Sequence, residues 1–177
     1  MTDAVLVVDL VPGSANVTGS LELRRYGQGV ILLGKVVGLA PGLHGLHVHM
    51  TGDTGNTCKA AGGHFNPDMV DLLYSLIFFL HCLSFQNDHS SPYSPMRHAG
   101  DLGNILTHPD LPVTLVHIYD AVISLGDGGP RDVEGRAIVI HAGEDDLGRG
   151  EGDKAEESKK TGNAGSRVAC GIIKLVD

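Results

Sequence analysis

The sequence predicts an all-β domain built as a sandwich or barrel, and three observations carry that reading. The 177 residues include 25 glycines, about twice the average usage near 7%, so turns are frequent. The apolar runs are short, and several alternate with the period of two that marks a half-buried strand. Turn dipeptides such as Pro12-Gly13 and Pro41-Gly42 punctuate those runs.

Taken in order, residues 4–10 (AVLVVDL) form a β-branched apolar run that ends at Pro12-Gly13. Residues 16–25 alternate, with Val17, Gly19, Leu21 and Leu23 on one face. Residues 30–39 form a further apolar run, and residues 43–50 form a strand with a histidine face. Residues 113–119 alternate cleanly, with Val113, Leu115 and His117 set against Thr114, Val116 and Ile118. Residues 136–141 and 167–176 complete a set of seven or eight short strands. Between them lie two long loops, about 51–100 and 142–166, longer than ordinary connections and therefore candidates for function.

Bulk properties narrow the function. Hydrophobic residues make up 42% and charged residues 19% of the chain, as expected of a globular domain. The net charge is −8 and no block of Lys and Arg occurs, which argues against nucleic acid as a partner. The start of the chain has neither a basic segment nor a long apolar one, so no signal peptide is read there. On that reading the sequon Asn16-Val17-Thr18 is a chance match. Residues 72–83 (LLYSLIFFLHCL) are the most apolar stretch, but they are too short for a bilayer, which needs about 20 apolar residues. Three cysteines are too few for a disulfide scaffold, and their odd number leaves a free thiol or an intermolecular bridge.

Ten histidines stand out in a chain of this length. His47 and His49, two apart on a strand, share one face and make half a site for copper or zinc. His44 points to the other face and reads as structural. His64, His89 and His98 follow in the first long loop, and His98 has Asp101 three residues on. Three histidines and an aspartate are a common tetrahedral zinc set. His141 ends a strand beside the second loop.

The segments GLHGLHVH (42–49), GGHFNP (62–67), RHAGDLGN (97–104), HAGEDDLGRG (141–150) and TGNAGSRVACG (161–171) together resemble the copper/zinc superoxide dismutase family, in the same order and over almost the whole chain. The resemblance implies an eight-stranded antiparallel Greek-key barrel or sandwich, immunoglobulin-like, forming a single domain over 1–177. It implies an enzyme that disproportionates superoxide to O2 and hydrogen peroxide. His47, His49, His64 and His141 would bind copper. His64, His89, His98 and Asp101 would bind zinc, with His64 bridging the two metals and taking up a proton during turnover. Asp145 would link His47 to His89 from behind the ligands. Cys58 and Cys170 would form a disulfide, Arg167 would receive the anion beside copper, and Lys160 would stand at the channel mouth. A cytoplasmic homodimer loaded by a copper chaperone, with no nucleic acid or membrane partner, completes the expectation.

The chain departs from the family in one large respect. Between His64 and His89 lie 24 residues, where the family keeps seven, and the excess contains the apolar stretch. It is either a true insertion, at about 68–88 in the zinc loop, or a short retained intron translated in frame. His81 and Cys82 within it read as bystanders rather than rival ligands. Met50 and Lys174 stand where the family has an acidic and a small residue, the latter near the dimer interface. Two other functional readings are a metal-poor or inactive structural relative, made plausible by the insertion, and a copper chaperone-like binding protein. Against the latter, the chain has no CxxC or CxC motif.

Overall fold

The structure, a computed structural model, describes residues 5–68 and 88–176. Eight strands carry the fold: β1 (Val5–Pro12), β2 (Thr18–Tyr26), β3 (Gly29–Val37), β4 (Gly42–Val48), β5 (Asp101–Thr107), β6 (Val113–Asp120), β7 (Ala137–His141) and β8 (Arg167–Ile172). A two-residue strand, β9 (Lys174–Leu175), pairs with β1. The strand order is β5-β4-β7-β8-β1-β2-β3-β6, antiparallel throughout. The β3–β4 and β6–β7 connections cross between the two halves, giving the expected Greek-key pattern. At the open seam the hydroxyls of Thr107 on β5 and Thr114 on β6 lie 2.6 Å apart, so the barrel is nearly closed.

Alternation explains the barrel interior. Leu6 and Val8 on β1, Leu21 and Leu23 on β2, Leu46 and Val48 on β4, and Ile138 and Ile140 on β7 are buried in one core. Thr114 and Val116 of β6 point inward while Leu115 and His117 are exposed, as the alternation of that segment predicts. Three elements differ from expectation. The strand β5 is absent from the sequence reading, because Asp101, Gly103 and Asn104 break its apolar pattern. The strand expected over 167–176 divides at Ile173 into β8 and β9. The second long loop contains a helical turn, α1 (Ala155–Thr161), which ends on Gly162 in the left-handed region. Residues 69–87, which include the apolar stretch, His81 and Cys82, lie outside the described residues. No helix among the described residues is long and apolar enough to cross a membrane.

The strands β4 and β7 are buried on both faces. Outside the barrel, Cys58 and Ala61 of the first loop pack on Ala137, Val139 and Cys170 in a second, smaller cluster. The disulfide Cys58–Cys170 anchors this layer and joins residues 112 apart in sequence. Arg167 reinforces it by donating from Nη1 to the carbonyl of Cys58 at 2.7 Å. Closing so long a loop restricts the unfolded chain strongly. Cys170→Ser should therefore cost about 2–5 kcal/mol in urea unfolding. Reductant should destabilise the parent protein to the same extent and leave the variant unchanged. An unchanged unfolding midpoint in the variant would show that the loop needs no covalent anchor.

Candidate metal centre

The alternation that sends Leu46 and Val48 into the core turns His47 outward, and His49 follows on the same side. Both are nonetheless buried, at 0% and 1% exposure, because the two long loops cover this face. His141, at the end of β7, and His64, from the first loop, meet them there. The ring centroids of His47 and His64 are 4.0 Å apart, and those of His47 and His141 are 4.8 Å apart.

Each ring is held by one nitrogen and leaves the other facing its neighbours. His47 is held through Nε2, 2.9 Å from Asp145 Oδ2. His49 Nδ1 donates to the Gly62 carbonyl at 2.9 Å, and His141 Nδ1 to the Gly165 carbonyl at 3.0 Å. His64 Nδ1 lies 2.8 Å from Asp101 Oδ1. The remaining atoms, His47 Nδ1, His49 Nε2, His64 Nε2 and His141 Nε2, are buried without a hydrogen-bond partner. Donor atoms of these four residues lie within 4.8 Å of one another. Buried polar atoms are rarely left unpaired, since each costs the full desolvation penalty of the group. Four imidazole nitrogens turned toward one point fit a cation such as copper, which favours nitrogen ligands.

A second group adjoins the first through His64. Asp101 Oδ1 lies 2.8 Å from His64 Nδ1, 2.9 Å from His89 Nδ1 and 3.3 Å from His98 Nδ1, while the His64 and His89 Nδ1 atoms are 3.3 Å apart. Tetrahedral ligands bonded at about 2.0 Å stand about 3.3 Å from one another, so these four donors fit a zinc ion. His89 thus reaches this cluster despite the 24 residues that separate it from His64.

Asp145 ties the two groups together. Its Oδ2 meets His47, and its Oδ1 lies 2.6 Å from His89 Nε2. Asn104 on β5 clamps the Asp145 backbone from both sides, accepting from its N–H and donating to its carbonyl, each at 2.8 Å. Gly162 has to lack a side chain: a Cβ there would stand 2.0 Å from Asp145 Oδ1 and 2.4 Å from His89 Nε2, and its φ is +65°. Arg97 donates from Nη1 to the carbonyls of His98, Ala99 and Asp101 and pairs through Nη2 with the buried Asp120, which fixes the turn that carries His98. Sequence reasoning missed Arg97 and Asn104. Both lie inside the quoted RHAGDLGN segment, but nothing in spacing or composition reveals that a charged or amide side chain will be buried. His44, read as structural, sets its ring nitrogens 2.9 Å and 2.8 Å from the carbonyls of His141 and Ala40.

His49, His64, His141, Glu157, Lys160 and Arg167 line a cavity of about 320 Å³ that leads to the first group. Arg167 is held there by the carbonyls of Cys58 and Gly62. Its guanidinium and the Lys160 ammonium therefore offer an anion a local positive field in a chain of negative net charge.

Electrostatics separate the two groups in the metal-free protein. Burial, and then the neighbouring imidazoles, push His47 well below its ordinary value. Burial does the same for His49, and it brings His141 down to about 4. For His89, burial acts downward, but hydrogen bonds to Asp101 and Asp145 outweigh it and raise the group to about 9. Burial would raise Asp101, yet its three histidine neighbours hold it well below the carboxylate range. Depressed histidines bind protons on unfolding, so they make stability fall as pH falls from about 6.5 toward 4. His89 has the opposite sign: its contribution is complete below about 6.5 and is lost as pH rises through 9. The urea midpoint of the metal-free protein should accordingly drop between pH 6.5 and 4. A flat midpoint across that interval would contradict burial of neutral imidazoles.

Comparison with known proteins agrees with this geometry. Residues 17–173 match the family model described as copper/zinc superoxide dismutase. The chain is 41% identical over 172 residues to an extracellular superoxide dismutase [Cu-Zn] of Brugia pahangi, covering 97% of this chain and 76% of that protein. It is 48% identical over 162 residues to an extracellular superoxide dismutase [Cu-Zn] of Haemonchus contortus, covering 92% and 76%. It is 42% identical over 172 residues to superoxide dismutase [Cu-Zn] 2 of Mesembryanthemum crystallinum, covering 97% and 96%. A crystal structure of the clock protein EA4 superposes with a TM-score of 0.79 at 33% identity, covering 99% of this chain and 97% of that one. One expectation is corrected: the cytoplasmic setting does not stand, because two of these relatives are extracellular enzymes. From the family match, the relatives and the two donor sets, the chain belongs to the copper/zinc superoxide dismutase family and is an enzyme that disproportionates superoxide with copper and zinc.

Proposed function

We propose that His47, His49, His64 and His141 hold the copper, that His64, His89, His98 and Asp101 hold the zinc, and that His64 belongs to both. The observation that carries this reading is the set of four buried, unpartnered imidazole nitrogens turned toward one another. Bound copper would supply the one-electron redox chemistry that disproportionation needs, whereas zinc has no redox chemistry.

The chain's residues supply the rest. Arg167 and Lys160 draw the anion into the cavity, and Arg167 orients it beside the histidines. His64 would be the proton carrier: Nδ1 is committed to the second group, so Nε2 is the atom that, when no metal holds it, would take a proton from solvent and pass it to the peroxide product. Asp145 and Asp101 fix ring orientation and tautomer from behind, as outer-shell carboxylates do at metal sites. The domain is read as a single unit over 1–177, with the apolar segment an addition to the zinc loop. The two complete donor sets favour this activity over a metal-poor structural relative.

Two further parts belong to the reading. Exposed Val11 and Ile172 lie on the adjacent strands β1 and β8 and offer an apolar patch to a second copy, with Lys174 and Asp9 beside them. Copper arrives by transfer from a copper chaperone. An extracellular setting follows the two relatives named as extracellular enzymes, and a disulfide of this kind persists there.

Metal content and dismutation separate the roles. His141→Ala should retain zinc and lose copper together with activity, whereas His98→Ala should lose zinc first. Arg167→Ala should keep both metals and lower kcat/KM about 10-fold, with Arg167→Lys restoring part of the rate and its dependence on ionic strength. Copper uptake unaltered by His141→Ala would overturn the assignment.

A further inference from the structure

We infer that Asn16 is an N-glycosylation site, the acceptor for one oligosaccharide. The inference rests on the extracellular reading above and adds a covalent feature to it. With that setting, the triplet Asn16-Val17-Thr18 has the form of an acceptor sequon, Asn-x-Ser/Thr with a central residue other than proline. The structure presents it as an acceptor needs to be presented. Asn16 lies in the bend between β1 and β2 and is exposed, and so is Thr18, the first residue of β2. Neither side chain hydrogen-bonds to any other described residue, so the carboxamide and the hydroxyl that the transfer requires are both free.

The residue between them is the anchor. Val17 is 1% exposed and belongs to the core, which turns its two neighbours outward. The rest of the bend is fixed by backbone bonds and by the Ser14 hydroxyl, 3.4 Å from that of Ser166. Gly13 and Ser14 donate to the carbonyls of Val168 and Arg167, each at 2.8 Å, and Val17 donates to the Ala15 carbonyl at 2.9 Å. Gly38 packs against the Asn16 carbonyl so closely that a Cβ there would stand 2.5 Å away. The bend therefore holds its shape without the Asn16 side chain, and a bulky substituent on Nδ2 displaces no native contact. Asn16 lines neither the cavity at the histidines nor the one formed by Asp9, Val11, Thr54, Gly171, Ile172 and Lys174. Modification of Asn16 therefore alters no residue that lines either cavity.

In the modification, Asn16 Nδ2 forms a bond to the anomeric carbon of an oligosaccharide carried on a lipid diphosphate. The bond from that carbon to the diphosphate oxygen breaks, and the proton lost from the amide leaves with the lipid diphosphate. No oxidation or reduction occurs.

The test expresses the full chain behind a cleavable secretory leader in eukaryotic cells and examines the secreted, metal-loaded enzyme by intact mass and peptide mapping. One glycan on the peptide containing Asn16 is expected, removable by an amide-cleaving glycosidase that leaves aspartate at 16. Asn16→Gln and Thr18→Ala should abolish it and Thr18→Ser should keep it, all with unchanged dismutation per copper. A secreted, active parent protein with unmodified Asn16 would overturn the inference. The same chain is also followed in its own cells. If it stays inside them and carries no glycan, while the leader-directed form is modified, the extracellular reading fails and the acceptor site stands.

Discussion

Along β4, Leu46 and Val48 face the barrel core while His47 and the adjoining His49 face the opposite side, and most of the molecule is arranged around that division. A strand whose outer face carries two imidazoles could be left open to water. Here both rings are buried, and their outward nitrogens meet those of His64 and His141 with no proton donor between them. Desolvation of so many polar atoms is unfavourable unless a cation completes the set. The two long loops, the disulfide and the backbone bonds from Arg167 are the means by which the barrel keeps water away from this face.

The second donor group depends on the same pleat through one residue behind it. Asp145 holds His47 with one oxygen and His89 with the other, so displacement of the second loop disturbs both groups together. The clamp from Asn104 on β5 sets Asp145, and the absence of a side chain at Gly162 makes room for it. Arg97, buried against Asp120, plays the matching part for the turn that carries His98. In each case a polar side chain on a rigid strand or turn fixes a loop residue, which is how a loop-built site gains the precision of a strand-built one. A buried charge such as Arg97 is tolerated because three carbonyls and a carboxylate surround its guanidinium.

Much of this was legible in the residues themselves. The i, i+2 pair His47 and His49 follows from strand period alone, and His98 with Asp101 follows from its spacing. The clean alternation at 113–119 placed β6 correctly. What was hidden had physical reasons. β5 carries Asp101, Gly103 and Asn104 because it serves the metal groups, so function overrides the apolar pattern that would announce a strand. The roles of Arg97 and Asn104 depend on tertiary burial, which a polar residue type conceals. The cellular setting left no mark in composition. The 24-residue interval between His64 and His89 suggested a compromised zinc set, yet the donors come together, since an insertion in a loop adds little closure entropy.

Anomalous diffraction from crystals of the copper- and zinc-loaded protein, recorded on either side of each metal's absorption edge, tests the central claim most directly. The account predicts a copper peak bonded to His47 Nδ1, His49 Nε2, His64 Nε2 and His141 Nε2, and a separate zinc peak at Nδ1 of His64, His89 and His98 with an oxygen of Asp101. A protein in which those imidazole nitrogens are paired with waters or with one another, and both peaks lie elsewhere, would contradict it.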